Sequence, residues 1–293
     1  MKKILRNQVV YAMGTSNKPV IYVNPGETLR IETEDCFSHQ LVNVTDSIDE
    51  RVDFSKVNPT TGPVFVNGTS PGDTLKVFIK KIDLDKQGVT VVMKGLGVLG
   101  HKVKGSQVEI IPIESDAIMF AGQKLPRRSM IGVIGVAPAE GEVPNSTPGD
   151  HGGNMDTLDV SPGNYIYLPV FVNGAYFAIG DIHATMGNGE VCGTGVECRA
   201  EVELTIDICT EYNWKIPVIE TGDSFYFVGS ADTMDHAVEK ATNEAVMFLE
   251  RTNRIPWNTA YMLASLSADV IVSQAVNPLK TARIRIPKSC LNI

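Results

Sequence analysis

The chain has 293 residues, 43% of them hydrophobic, and its 26 Lys and Arg against 34 Asp and Glu leave a formal charge of −8. That length can bury a sizeable core in one large domain or two intimately packed ones, and the composition excludes disordered and collagen-like classes. The negative charge, with no Lys/Arg stripe interleaved with aromatics, excludes an ordinary nucleic-acid binder and suits a neutral or cationic substrate.

In chain order, "MKKILRNQVVYAMG" opens with basic residues, but its apolar run is broken by Arg6, Asn7 and Gln8. It does not read as a secretory signal, and no stretch approaches the ~20 apolar residues of a membrane span. The expectation is a cytoplasmic protein with no membrane partner. Cys36, Cys192, Cys198, Cys209 and Cys290 are odd in number and include no Cys-x-x-Cys pair, so they read as reduced and mostly buried.

"ETLRIETE", "DTLKVFIKKIDL", "NYIYLPVFV", "EVELTIDI" and "DSFYFVGS" alternate with period two and predict strands. In "EVELTIDI", Val202, Leu204, Ile206 and Ile208 face one way and Glu201, Glu203, Thr205 and Asp207 the other. Pro25-Gly26, Pro71-Gly72 and Pro162-Gly163 predict recurring turns, because proline presets φ at the second position and glycine supplies positive φ at the third. The period changes after Ala231: Met234, Ala237, Val238, Ala241, Ala245, Phe248 and Leu249 predict a helix behind an Asp232 N-cap. A second helix begins near Pro256 and carries Tyr261, Leu263 and Leu266, before "ADVIVSQAV" and "ARIRIP" return to strand. The fold class expected is mainly β, sandwich or jelly-roll-like, with a C-terminal helical hairpin on the sheets. Residues 1–293 form one unit, with a division into two packed β subdomains, about 1–130 and 131–293, as the alternative.

Two motif matches fail on context. "GLGVLG", Gly95 to Gly100, matches a dinucleotide fingerprint, but no helix or βαβ unit follows it, so it reads as a glycine loop near His101. "GTSPG" imitates a serine-hydrolase elbow, yet Pro71 after Ser70 has no N–H for an oxyanion, so Ser70 reads as a turn serine.

The polar clusters are "PGDHGGNMD", with Asp150, His151 and Asp156, and "GDIHATMGNGE", with Asp181, His183 and Glu190. His39 and His236 read as solvated. Residues two apart in an extended segment project to one side, so Asp181 and His183 could face one ion. Imidazole with carboxylates suits zinc or, with more oxygens, manganese or calcium, although Asp and His in glycine turns also act as caps. Gly152-Gly153 would admit another backbone or a small ligand. Glu197, at a strand mouth, is either a solvated carboxylate or a general base whose pKa burial would raise. Cys192 and Cys198 would be nucleophiles only if a neighbouring base or cation lowered the thiol pKa.

"IGVIGVAPAEGEVPNSTPGDHGGNMDT" and "GNYIYLPVFVNGAYFAIGDIHATMGNGEVCGTGVE", with "ETEDCFSHQL" and "TGPVFVNGTSPGDTLKVFI" before them, resemble the acetamidase/formamidase family in order and spacing. The resemblance implies hydrolysis of short aliphatic amides to acid and ammonia, a mainly β fold, a homo-oligomer and a divalent metal, zinc in at least some members, with calcium or manganese as alternatives. The family's GGNMD motif falls on Gly152 to Asp156 and its GD-x-HA-x-x-G-x-GE motif on Gly180 to Glu190. Family sequences often carry Gln at Met186 and Asp at Asn188, which weakens position 188 as a ligand. On this basis Asp181 and His183 are expected to hold the metal, completed by His151, Asp156 or Asp35. Glu190 or Glu197 is the acid/base, and Gly152, Gly153 and Asn154 line the substrate, Asn154 at the oxyanion. The rival readings are hydrolysis of cyclic amides such as γ-lactams and a non-catalytic, metal-binding β-sandwich.

Overall fold

A computed structural model describes residues 1–292. Two nine-stranded sheets dominate it. Across the first, the strands run in the order Lys2–Ile4, Glu27–Thr33, Ala200–Ile208, Thr74–Leu84, Tyr165–Pro169, Val218–Glu220, Ser224–Ala231, Lys280–Pro287 and Asp269–Gln274. Three of these follow the Pro-Gly turns, where Gly26, Gly72 and Gly163 have φ of 82°, 97° and 91°, the left-handed values such turns require. Ala200–Ile208 buries Val202, Leu204 and Ile206 while Glu201 and Glu203 meet Lys3, Arg30 and Lys80 at the surface.

The second sheet is organised around Phe177–His183, whose seven residues are all buried. Met130–Gly135 pairs with it on one side; Thr60–Val66 and Glu197–Cys198 share the other. Leu29, Ile31, Val202 and Leu204 from the first sheet and Val64, Ile131, Ile134, Ile179 and Ile182 from the second form one core between the sheets. Each sheet takes strands from both sides of residue 130, so a boundary there would cut through both.

The helical hairpin is present as Met234–Asn253 and Trp257–Ser267, joined through Arg254 in the left-handed conformation, φ 53°. Ala241, Ala245, Phe248 and Leu249 seat it on the outer face of the first sheet, against Phe225, Phe227, Ile284 and Ile286. Its N-cap is Thr233, not Asp232: Thr233 has extended backbone and its Oγ1 accepts the His236 N–H at 3.2 Å. Asp232 instead accepts from the His236 ring at 2.8 Å. Pro256 stands before the second helix as its cap residue, and Tyr261 and Leu266 point outward while Leu263 packs inward. Among the described residues no helix is long and apolar enough to cross a membrane.

The glycine loop Gly95 to Gly100 packs on Val191 and Cys192 and runs into a single 3-10 turn, Gly100–Lys102, with His101 exposed. Ser70 is an exposed turn residue whose N–H donates to Asp73 at 2.8 Å. All five cysteines are free, with Cys36, Cys198 and Cys209 buried and Cys192 and Cys290 half-buried.

Candidate active site

The site grows from alternation along Phe177–His183. Ile182 enters the core between the sheets, so Asp181 and His183 on either side of it face the opposite way. In register, Glu197 lies directly across from His183, and this pairing sets His183 Nε2 3.0 Å from Glu197 Oε2. The same nitrogen is 3.5 Å from Asp181 Oδ1 and 3.8 Å from Asp156 Oδ1. Glu190 closes the group: Asp156, His183 and Glu190 offer ligand atoms within 4.8 Å of one another, and so do Cys36, Asp181 and Glu197. Asp156, Asp181, His183, Glu190 and Glu197 are between 0% and 7% exposed.

Asp156, Asp181 and Glu190 have φ of 43°, 56° and 44°, where non-glycine residues are rarely found unless the surroundings hold them. Glycine makes the room: a methyl group on Gly132 would stand 2.6 Å from Asp156 Oδ1 and 2.7 Å from Asp181 Oδ2. Asn277 Nδ2 donates to Asp156 Oδ2 at 2.7 Å and to the Asn154 carbonyl at 3.0 Å. With its amide turned so that nitrogen faces the acids, Asn154 donates to Asp181 Oδ2 at 3.0 Å.

Burial raises the carboxyl of Glu197 to about 8 and of Asp156 to about 6, the nearby His183 opposing both. Glu190 is pushed well above the ordinary carboxylate range, first by burial and then by Asp156 beside it. Burial works against the charge of Asp181 as well, yet the neighbouring imidazole holds it below its ordinary value. Burial likewise opposes charge on His183, but Glu197 and Asp181 raise its pKa well above the usual value.

The arrangement fits a divalent cation. Asp181 Oδ1, His183 Nε2 and Glu197 Oε2 converge and are buried, and apart from their close contacts with one another none has a hydrogen-bond partner in the protein. Unpartnered buried polar atoms are costly, and a cation would satisfy all three. The 3.0 and 3.5 Å separations from His183 Nε2 bracket the roughly 3.3 Å edge of a tetrahedron built on ~2.0–2.1 Å nitrogen and oxygen bonds.

Other residues singled out in the sequence lie elsewhere. Asp35 sits with Glu34 and His39, its Oδ1 accepting from the Phe37 and His39 backbone N–H groups, so His39 is half-buried against Asp35 rather than solvated. His151 belongs to neither ligand group; its ring lies over Gly149 and Gly153. The space beside Gly152 and Gly153 is filled by backbone, Ile134 at the first and Thr147 at the second, so close strand packing explains that glycine pair. Glu197 is buried, not a solvated strand end. Burial raises the thiol pKa at Cys192 and Cys198, the opposite of what activates a nucleophile.

Cys36, Gly132 and Asn277 are contributors the sequence reading did not single out. Cys36 had a signal, since it adjoins Asp35; Asn277 had none, because it arrives from a loop more than a hundred residues away from Asp156. A cleft of about 530 Å³ opens alongside, lined by Thr185, Gly187, Cys192, Gly195 and Val196, and none of the four acids lines it. Gly195 separates it from the cluster: a methyl group there would stand 2.7 Å from His183 Nδ1.

Fold and site together define a two-sheet β protein with a buried carboxylate–histidine centre. The family model described as "Acetamidase/Formamidase family" matches residues 16–147 and 142–292, and the chain belongs to that family. It superposes on an acetamidase from Bacillus halodurans with a TM-score of 0.96 at 39% identity, covering 99% of this chain and 100% of that one. For a protein described as a predicted acetamidase/formamidase from Thermoanaerobacter tengcongensis the TM-score is 0.95 at 41% identity, covering 98% and 96%. The formamidase of Methylophilus methylotrophus is 25% identical over 268 residues, 69% of this chain and 65% of that protein. The chain spans about 60–65% of the length of the curated relatives it matches.

Proposed function

We propose that this chain hydrolyses short aliphatic amides, formamide and acetamide being the test cases, to the carboxylic acid and ammonia. The observation that carries the reading is the convergence of Asp181 Oδ1, His183 Nε2 and Glu197 Oε2, buried with no partner but one another, beside the paired acids Asp156 and Glu190. Membership of a family whose relatives include a formamidase and an acetamidase supports the substrate class.

Amide resonance makes the carbonyl a poor electrophile and the nitrogen a poor leaving group. Asp181, His183 and Glu197 would hold a divalent cation, with zinc the assignment, and such an ion supplies polarisation of the carbonyl and acidification of water. That use of Glu197 as a ligand leaves Glu190 as the acid/base. Glu190 is the least buried of the four acids and its raised pKa suits a group that takes a proton and returns it. In this scheme Glu190 removes a proton from the attacking water and delivers it to the departing nitrogen. Asp156 stays a carboxylate aimed at Glu190, held by Asn277 and Asn154, which makes Asn154 a positioning residue rather than an oxyanion donor. The same reading puts the enzyme in the cytoplasm, where its free cysteines stay reduced, as a homo-oligomer.

The test joins metal analysis to ammonia release from formamide and acetamide. His183→Ala is expected to lose both metal and turnover with the fold intact by circular dichroism. Glu190→Gln should keep its metal and lose about 10²–10⁴-fold in kcat, the usual contribution of a positioned acid/base. Metal-loaded protein that releases no ammonia from any amide would refute the function, and wild-type turnover in Glu190→Gln would move the proton to another group.

A further inference from the structure

We infer that Cys36 is a thiolate ligand of this cation site, joining Asp181, His183 and Glu197 in a sulfur-containing, zinc-type set that takes up water by expanding to five-coordination; this rests on the reading that those three residues hold a cation. The Cys36 sulfur lies within 4.8 Å of ligand oxygens of both Asp181 and Glu197. Cys36 is free and 6% exposed. Its neighbours fix where it points. Asp35 Oδ1 accepts the N–H of Phe37 at 2.9 Å and of His39 at 3.0 Å, and the Cys36 carbonyl accepts the Asn58 N–H at 2.7 Å. The carboxylate of Asp35 is therefore spent on holding the turn, and the adjacent thiol is what reaches the cluster.

A second observation points to a ligand there. Apart from their contacts with His183, Asp181 Oδ1 and Glu197 Oε2 are buried and unpartnered, and these are the two carboxylates that Cys36 approaches. Cys36 packs in an apolar cluster with Phe37, Leu41 and Val89, yet its sulfur also lies within reach of two carboxylates, which packing alone does not require. On binding, the S–H bond and the Nε2–H bond of protonated His183 break, both protons leave to solvent, and sulfur–metal and nitrogen–metal bonds form with no change of oxidation state. Two carboxylate oxygens, one imidazole nitrogen and one sulfur select a borderline-soft ion over calcium or magnesium, which take oxygen.

The test reads the ligand directly. The metal-free protein is titrated with cobalt(II), following the near-ultraviolet thiolate-to-cobalt charge-transfer band, and then with zinc by calorimetry in buffers of different ionisation enthalpy. Wild type should show the band at one equivalent and release more protons on binding zinc than Cys36→Ser does. Cys36→Ser should lack the band and bind zinc more than ~100-fold more weakly, beyond the roughly 10–100-fold cost of losing an outer partner. Cobalt binding without the band in wild type, or zinc affinity in Cys36→Ser within that outer-partner range, overturns the inference while sparing the cation site. Wild type that binds neither metal overturns the cation site itself. The cobalt spectrum of wild type needs no variant to fold.

Discussion

Asp156, Asp181 and Glu190 share a backbone conformation that costs of order 1–3 kcal/mol at a non-glycine residue, and all three supply carboxylates to one buried centre. Such strain persists only where packing and hydrogen bonds hold it, and Gly132 is the clearest instance of the packing. Gly132→Ala places its methyl group against both Asp156 and Asp181, so the two acids must move apart. The expected result is a stability loss of about 1–3 kcal/mol from overpacking, together with loss of bound metal and of turnover. Thermal unfolding and metal content on the same preparation check it. Unchanged metal affinity would mean that the carboxylates do not need the geometry described. Little of this was legible in "MIGVIG", because a glycine in a buried strand reports close approach without naming what approaches.

At the scale of elements, the loop carrying Glu190 is held by the C-terminal strands. Gly189 donates to the Ser273 carbonyl at 2.9 Å and its own carbonyl accepts from Ala275 at 3.0 Å. Arg283, 2% exposed, donates to Asp159 at 2.7 Å, to Ser273 Oγ at 3.0 Å and to Asn188 Oδ1 at 2.9 Å. Asn188, the position where the family often has Asp, thus serves Arg283 and not the cation site. Arg283→Met leaves buried Ser273 and half-buried Asp159 without their donor, and we expect a loss of about 1–3 kcal/mol, read as a fall in denaturant midpoint. Asn188→Asp should leave kcat within about twofold, since it exchanges one acceptor for Arg283 for another; a collapse of turnover would place position 188 in the chemistry. Asn277 reaches Asp156 through the same region, positioned by Gln274 Oε1, which accepts its N–H at 2.9 Å.

For the whole molecule, a histidine outside the site makes one contribution to the pH dependence of stability, opposite in sign to that of the buried acids Asp156, Glu190 and Glu197 with raised pKa. Burial holds His151 down to about 4, with Asp150 opposing, against an ordinary value of 6.5. Between those values the unfolded chain binds a proton that the folded chain refuses. The contribution is complete above pH 6.5 and is lost as pH falls towards 4, up to about 3 kcal/mol. His151→Asn should flatten that part of the curve in denaturant titrations. An unaltered acid limb would assign it to other groups.

Strand identity, the three Pro-Gly turns and the C-terminal hairpin were legible in the sequence, because alternation, proline and glycine act over a few residues. The resemblance carried by the two glycine-rich segments pointed to the family, and Asp181-x-His183 was readable as one face of a strand. Tertiary structure decided the rest. It set Glu197 opposite His183 through strand register, brought Asp156 and Glu190 to the same imidazole, and left His151 and Asp35 outside that group. It also brought Cys36 and Asn277 in from distant loops. The physical reason is range: local propensity determines an element and its faces, while the contents of a buried polar centre depend on which elements the sheets and their connecting loops bring together.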